Sequence, residues 1–358
     1  MYFRLRAALL ALSILLPTVA DAADYPKPNE GNFALRDFKF ASGETLPELR
    51  LHYRTLGKAV RDDKGVTRNA VLIMHGTTGS GAQFLRPEFA GELFGAGQLL
   101  DATKFFIILP DGIGHGQSSK PSDAMHAKFP RYGYRDMVEA EYRLLSEGLE
   151  VNHARLVMGT SMGGMHTWLW GEIHPDFMDA LMPLASLPTQ ISGRNRVWRR
   201  LVIDAIRNDP AWAAGEYKSQ PPSLRTAAEM LWLMSSNPVL RQKDAPTMAK
   251  TDEVLDKFAN ELMKASDAND VLYALEASHD YDPGPDLEKI RAQLLAINSA
   301  DDLINPPELG LLEREIKRVP KGRAIVIPLS EKTRGHGSHT IADLWKDQLA
   351  DLLQRSQP

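Results

Sequence analysis

The sequence contains no cysteine. That absence removes disulfides, thiolate nucleophiles and cysteine-ligated zinc together. Charge excess is missing too: 42 Lys and Arg stand against 46 Asp and Glu, a formal net charge of −4. No basic stripe is offered to nucleic acid, and no long single-sign run forms a charged tail. There is no fixed-period repeat and no low-complexity tract. Beyond the first two dozen residues, no segment is long and apolar enough to span a bilayer. With 43% hydrophobic and 25% charged residues over 358 positions, the composition is that of an ordinary globular chain. The length suits one α/β domain with an insertion, or two small domains.

The chain begins MYFRLRAALLALSILLPTVADAADYPKP. Arg4 and Arg6 give a positive start, an apolar run follows from Ala7 to about Ala20, and Ala20-Asp21-Ala22 supplies small residues for cleavage. This is the pattern of a secretory signal peptide, residues 1–22, cleaved after Ala22. The competing reading is a membrane anchor, but the run falls short of the ~20 apolar residues a span needs. The mature chain is expected to be periplasmic or secreted, without stable membrane insertion. A cysteine-free chain suits an oxidising compartment.

Residues from about Asp24 to Gly57 alternate in short stretches and predict two or three antiparallel strands. AVLIM (Ala70–Met74) is a continuous apolar run, as in a strand buried on both faces. FIIL, ARLVMGTS, DALMPLAS, AQLLAINS and RAIVIPLS repeat that pattern, with helical spacing between several of them. Strand, loop and helix in alternation predict a mostly parallel sheet with helices on both faces. Residues 187–289 break the rhythm. Four helical segments there, joined at prolines, predict an insertion placed as a cap. The expected organisation is a core of 23–186 and 290–358 interrupted by that cap.

Gly159-Thr160-Ser161-Met162-Gly163 has the form G-x-S-x-G, between a buried strand and a helical pattern. A tight turn there lifts a serine hydroxyl clear of the sheet, and flanking glycines remove side chains that would collide. A plain turn or a phosphate loop could carry the same glycines, but no Gly-Lys-Ser/Thr follows. HGTTG (His75–Gly79) follows an earlier strand and makes Thr77 a candidate oxyanion donor beside the N–H of Met162. DGIGHGQSSKP reads as a structural loop, with Asp111, Gly114 and Gly116 holding it and His115 at the surface. A serine nucleophile needs a base, and the base needs a carboxylate. INSADDLINPPE offers Asp302, four residues before Pro306, with Asp301 as the alternative. TRGHGSHT offers His336, preceded by glycine, with His339 as the alternative. A metal held by the two histidines lacks a nearby third ligand.

With these residues in place, the chain resembles the homoserine O-acetyltransferase branch of the α/β-hydrolase superfamily. GTSMGGMHTWLWGEIHPD is similar to the family's elbow and helix, NAVLIMHGTTG to its oxyanion strand and loop, and DDLINP to its acid loop. GRNRVW with IRNDPAWAAGEY resembles the start of its cap. The resemblance runs from about Leu51 to the C-terminus. It implies an α/β-hydrolase fold with a helical cap, and a triad of Ser161, Asp302 and His336. It also implies a substrate-holding arginine at Arg194. No metal or organic cofactor is implied.

Three departures turn the expectation from acyl transfer toward hydrolysis. The family carries an aspartate after its catalytic histidine, to bind the amino group of homoserine, and Gly337 stands there. The loop at Asp111 resembles the general hydrolase form. Export would take the protein away from acetyl-CoA. The expected function is an exported serine hydrolase acting on a small-molecule acyl ester. The alternatives are an O-acyltransferase with another alcohol acceptor, and a non-catalytic binding protein on the same scaffold.

Overall fold

The computed structural model describes residues 25–357. The expected signal peptide lies outside them. The strands are β1 (Asn29–Lys39), β2 (Thr45–Leu56), β3 (Ala70–Met74), β4 (Phe106–Pro110), β5 (Leu156–Thr160), β6 (Ala180–Leu184), β7 (Gln293–Ser299) and β8 (Gly322–Ile327). They form one eight-stranded sheet in the order β1-β2-β4-β3-β5-β6-β7-β8. The β1–β2 hairpin and the β2–β4 pair are antiparallel, and every other neighbour is parallel.

Continuous apolar runs became strands because both faces of the sheet are covered. All residues of β3, β4, β5 and β6 are buried. Successive side chains point to opposite faces. Ala70, Leu72 and Met74 join one apolar cluster with Ile108, Val157 and Trp168. Val71 and Ile73 join another with Ile107, Leu109, Met158 and Trp345.

The helices are α1 (Ala90–Leu93), α2 (Tyr134–Arg143), α3 (Met162–Ile173), α4 (Gly193–Arg207), α5 (Leu224–Met234), α6 (Pro238–Asp244), α7 (Met248–Ala265), α8 (Ala268–Glu276), α9 (Leu311–Glu315) and α10 (Lys346–Arg355). Helices α2 and α3 cover the first face, while α1 and α10 cover the second. Helices α4 to α8 all fall between β6 and β7 and share their own apolar cluster, including Trp198, Val202, Ile206, Leu224 and Leu272. Ile304, from the loop after β7, belongs to that cluster, so the inserted helices pack on the loop that carries Asp302.

Helix α6 is additional to the four inserted segments expected: Pro238 opens it and the Asn237 side chain accepts the Leu240 N–H, a short capped helix without a long apolar period. Helix α10 follows an extended Ile341 and short 3₁₀ turns. Among the described residues, no helix is long and apolar enough to cross a membrane.

Candidate active site

Ser161 sits where β5 ends and α3 begins, with φ 55° and ψ −109°. A non-glycine residue reaches positive φ only when its surroundings enforce it. Here the Ser161 N–H donates to the Leu184 carbonyl at 2.9 Å, and the Gly163 N–H donates to the His75 carbonyl at 2.9 Å. The flanking glycines are required by space. A Cβ on Gly159 would lie 2.2 Å from the Gly163 carbonyl oxygen, and one on Gly163 would lie 2.0 Å from that of Met74. Both obstacles are backbone, which cannot rotate away. The turn therefore brings β3, β5 and α3 closer than any side chain permits, and it leaves the serine hydroxyl at the C-terminal end of the central strand β5.

The structure brings three of the expected residues together. His336 Nε2 lies 2.8 Å from Ser161 Oγ, and His336 Nδ1 lies 2.8 Å from Asp302 Oδ2. The second oxygen of Asp302 accepts N–H bonds from Ile304 at 2.8 Å and Asn305 at 3.1 Å. Burial of Asp302 alone would raise its carboxyl pKa. The facing His336 and the two backbone donors outweigh burial and hold it below the ordinary carboxylate value. A chain of this kind can draw a proton from a hydroxyl while one carboxylate fixes the imidazole tautomer.

The two alternatives take other places. Asp301 turns away from His336 and accepts the Gly335 N–H at 2.9 Å and the Asn237 side-chain N–H at 2.6 Å. His339 meets His336 edge to face, with ring centroids 5.2 Å apart. Burial, together with the neighbouring His336, pushes the His339 imidazole down to about 3.

Thr77 and Met162 flank Ser161 from two elements, and no acceptor is present for either N–H among the described residues. The N–H of Met162 opens α3, where the helix dipole favours negative charge. The Thr77 carbonyl is held by His115 Nε2 at 2.6 Å, and the other ring nitrogen of His115 faces the Ile113 carbonyl at 2.9 Å. His115 is thus buried beneath the His75–Gly79 loop, which corrects the expectation of a surface residue. The tight glycine turns around it fold the ring inward. Asp111 joins the same loops, accepting from the Gly81 and Gln117 N–H groups and from Arg54.

A family model described as alpha/beta hydrolase fold matches residues 69–328, most of the chain. The chain belongs to the α/β-hydrolase family. It is 30% identical over 295 residues to a probable acyltransferase of Methanothermobacter thermautotrophicus, covering 82% of this chain and 89% of that one. It is 30% identical over 298 residues to a homoserine O-acetyltransferase of Trichormus variabilis, covering 75% and 79%. These relatives put this α/β-hydrolase in the homoserine O-acetyltransferase-like branch. Its fold is shared with the crystal structure of homoserine O-acetyltransferase from Bacillus anthracis (TM-score 0.80, 20% identity, 92% and 98% coverage). It is shared equally with the acetyl esterase MekB (TM-score 0.79, 23% identity, 91% and 97% coverage).

Above Ser161, this α/β-hydrolase has a cavity of about 760 Å³ between the strand ends and the inserted helices. Ser161, His336 and Thr77 line it from the core, while Trp198, Leu231 and Val271 line it from the insertion. Arg194 does not line it. It lies exposed in the first turn of α4, with its guanidinium 3.7 Å from the Met234 sulfur. The structure therefore does not bring Arg194 to the cavity wall, and Val197 and Leu201 on the same face of α4 are exposed. Arg199 lines the cavity instead and is 1% exposed. Its side chain donates to the Asn195 side-chain oxygen at 3.1 Å and to the Ser278 hydroxyl at 3.4 Å. Helical spacing could have found it, because Arg199 shares the apolar face of Val202, Ile203 and Ile206. No group of three or more His, Asp or Glu side chains could hold a metal ion among the described residues.

Proposed function

We propose that this α/β-hydrolase is an exported serine hydrolase that cleaves carboxylic esters through an acyl-enzyme on Ser161. Ser161 Oγ attacks the acyl carbonyl while His336 Nε2 takes the hydroxyl proton. Asp302 holds the tautomer of His336 that leaves Nε2 free to accept, and it stabilises the imidazolium. The N–H groups of Thr77 and Met162 receive the oxyanion. The C–O bond to the alcohol then breaks, and His336 returns the proton to that leaving oxygen. Water attacks the acyl-enzyme by the same route. His336 takes the proton from water and gives it back to Ser161, and the acid departs.

The observation that carries this reading is the unbroken hydrogen-bond chain from Asp302 through His336 to Ser161, 2.8 Å at each step. The strained backbone of Ser161 supports it, since such strain persists where function needs it. A second reading is acyl transfer to an alcohol, favoured by the acyltransferase relatives. Gly337 beside His336 and the proposed export of the chain favour water as the acceptor.

One experiment separates the two. Protein recovered from the periplasmic or secreted fraction, with its N-terminus expected at Ala23, is assayed on a panel of acyl esters. The assays run with and without alcohol acceptors and with acyl-CoA. The expected result is acid release that needs no acceptor. Turnover strictly dependent on acyl-CoA and an alcohol would establish the transferase instead, and an unprocessed N-terminus would remove the export claim.

A further inference from the structure

We propose that Asp301 is a positioning residue that ties the helices inserted between β6 and β7 to the loop carrying His336. It thereby keeps His336 aligned on Ser161. The proposal rests on the reading above, in which His336 is the base.

Asp301 sits beside Asp302 but serves different partners. One carboxylate oxygen takes the Ser299 hydroxyl at the end of β7. The other accepts the Gly335 N–H at 2.9 Å and the Asn237 side-chain N–H at 2.6 Å. Gly335 immediately precedes His336, and Asn237 opens α6. A single carboxylate thus joins the sheet, the histidine loop and the insertion.

The neighbouring backbone closes on the same point. Gly335 has φ 59°, and a Cβ there would lie 2.7 Å from the Ser236 carbonyl carbon. On the other side of His336, the Gly337 N–H is shared between the Arg334 carbonyl at 3.1 Å and the Ser235 carbonyl at 3.3 Å. The residues flanking His336 therefore lean on Ser235–Asn237, the joint between α5 and α6. Asn237 is buried at 5% exposure, and its amide cannot flip: its oxygen must accept the Leu240 N–H, so its nitrogen must donate to Asp301. Any shift of that joint carries the His336 loop with it, and a misplacement of ~1 Å can cost on the order of a hundredfold in rate.

The test compares Asp301→Asn, Asn237→Ser and the double variant in the full chain. Serine at 237 keeps an acceptor for the Leu240 N–H but is too short to reach Asp301, so α6 stays capped. The measurements are kcat and KM on p-nitrophenyl acetate, the rate of Ser161 labelling by a fluorophosphonate, and Tm. Each single substitution is expected to lower kcat and labelling rate about tenfold, with KM within about twofold. The double variant should lose no more than the worse single one, because both cut the same link. If Asp301→Asn does not fold, Asn237→Ser carries the comparison alone. Wild-type kcat and labelling in a folded variant, losses that multiply, or a loss confined to KM would overturn the proposal. A wild type that neither labels nor turns over overturns the serine-hydrolase reading, and this proposal with it.

Discussion

Replacing His336 with alanine is expected to lower kcat by about 10⁵-fold or more, while His339→Ala leaves most of the activity. The contrast follows from geometry. His336 is the ring within hydrogen-bond reach of Ser161 Oγ, and it is the ring braced by Asp302. His339 packs edge to face on that ring and lines the cavity, and its low pKa keeps it neutral without a carboxylate partner. Steady-state rates on a chromogenic ester decide the matter. Full loss in His339→Ala with survival of His336→Ala would reverse the assignment.

Asp302→Asn is expected to lower kcat by on the order of 10⁴-fold with little change in fold. Asparagine is nearly isosteric, and its oxygen can still accept the Ile304 and Asn305 N–H bonds. Its amide nitrogen would then face His336 Nδ1. That donor drives the ring proton onto Nε2, and a protonated Nε2 cannot accept the serine proton. The ionised aspartate also has a stability signature. Its folded pKa lies below the ordinary value, so its contribution is complete above the ordinary carboxylate range. That contribution is lost as pH falls through the lowered value. The Tm of wild type should therefore fall toward strongly acid pH, and the Asn variant should show less of that dependence. Unchanged kcat in Asp302→Asn would contradict the assignment directly.

The elements that were easy to read are those where local pattern and tertiary setting agree. Five-residue apolar runs such as Ala70–Met74 and Leu156–Thr160 have one outcome in a sheet covered on both faces. Glycines around Ser161 announced a close approach, and the backbone contacts at Gly159 and Gly163 are that approach. Other features depended on turns that no residue pattern specifies. Asp301 and Asp302 are chemically identical neighbours. What separates them is the turn after β7, which presents one carboxylate to His336 and the other to Gly335 and Asn237. Arg194 and Arg199 differ by which face of α4 looks inward, which becomes legible only when the apolar stripe through Ile206 is followed. His115 reads as a loop residue because its burial comes from a glycine-rich fold-back and not from apolar neighbours in sequence.

Acylation of Ser161 is the step on which the proposed ester cleavage depends. Its most direct test is covalent labelling with a fluorophosphonate, with the adduct located by peptide mass spectrometry, in wild type and Ser161→Ala. One adduct per chain is expected, on the peptide that contains Ser161, and none in Ser161→Ala. A wild type that stays unlabelled, or an adduct that persists in Ser161→Ala, would contradict acylation at Ser161.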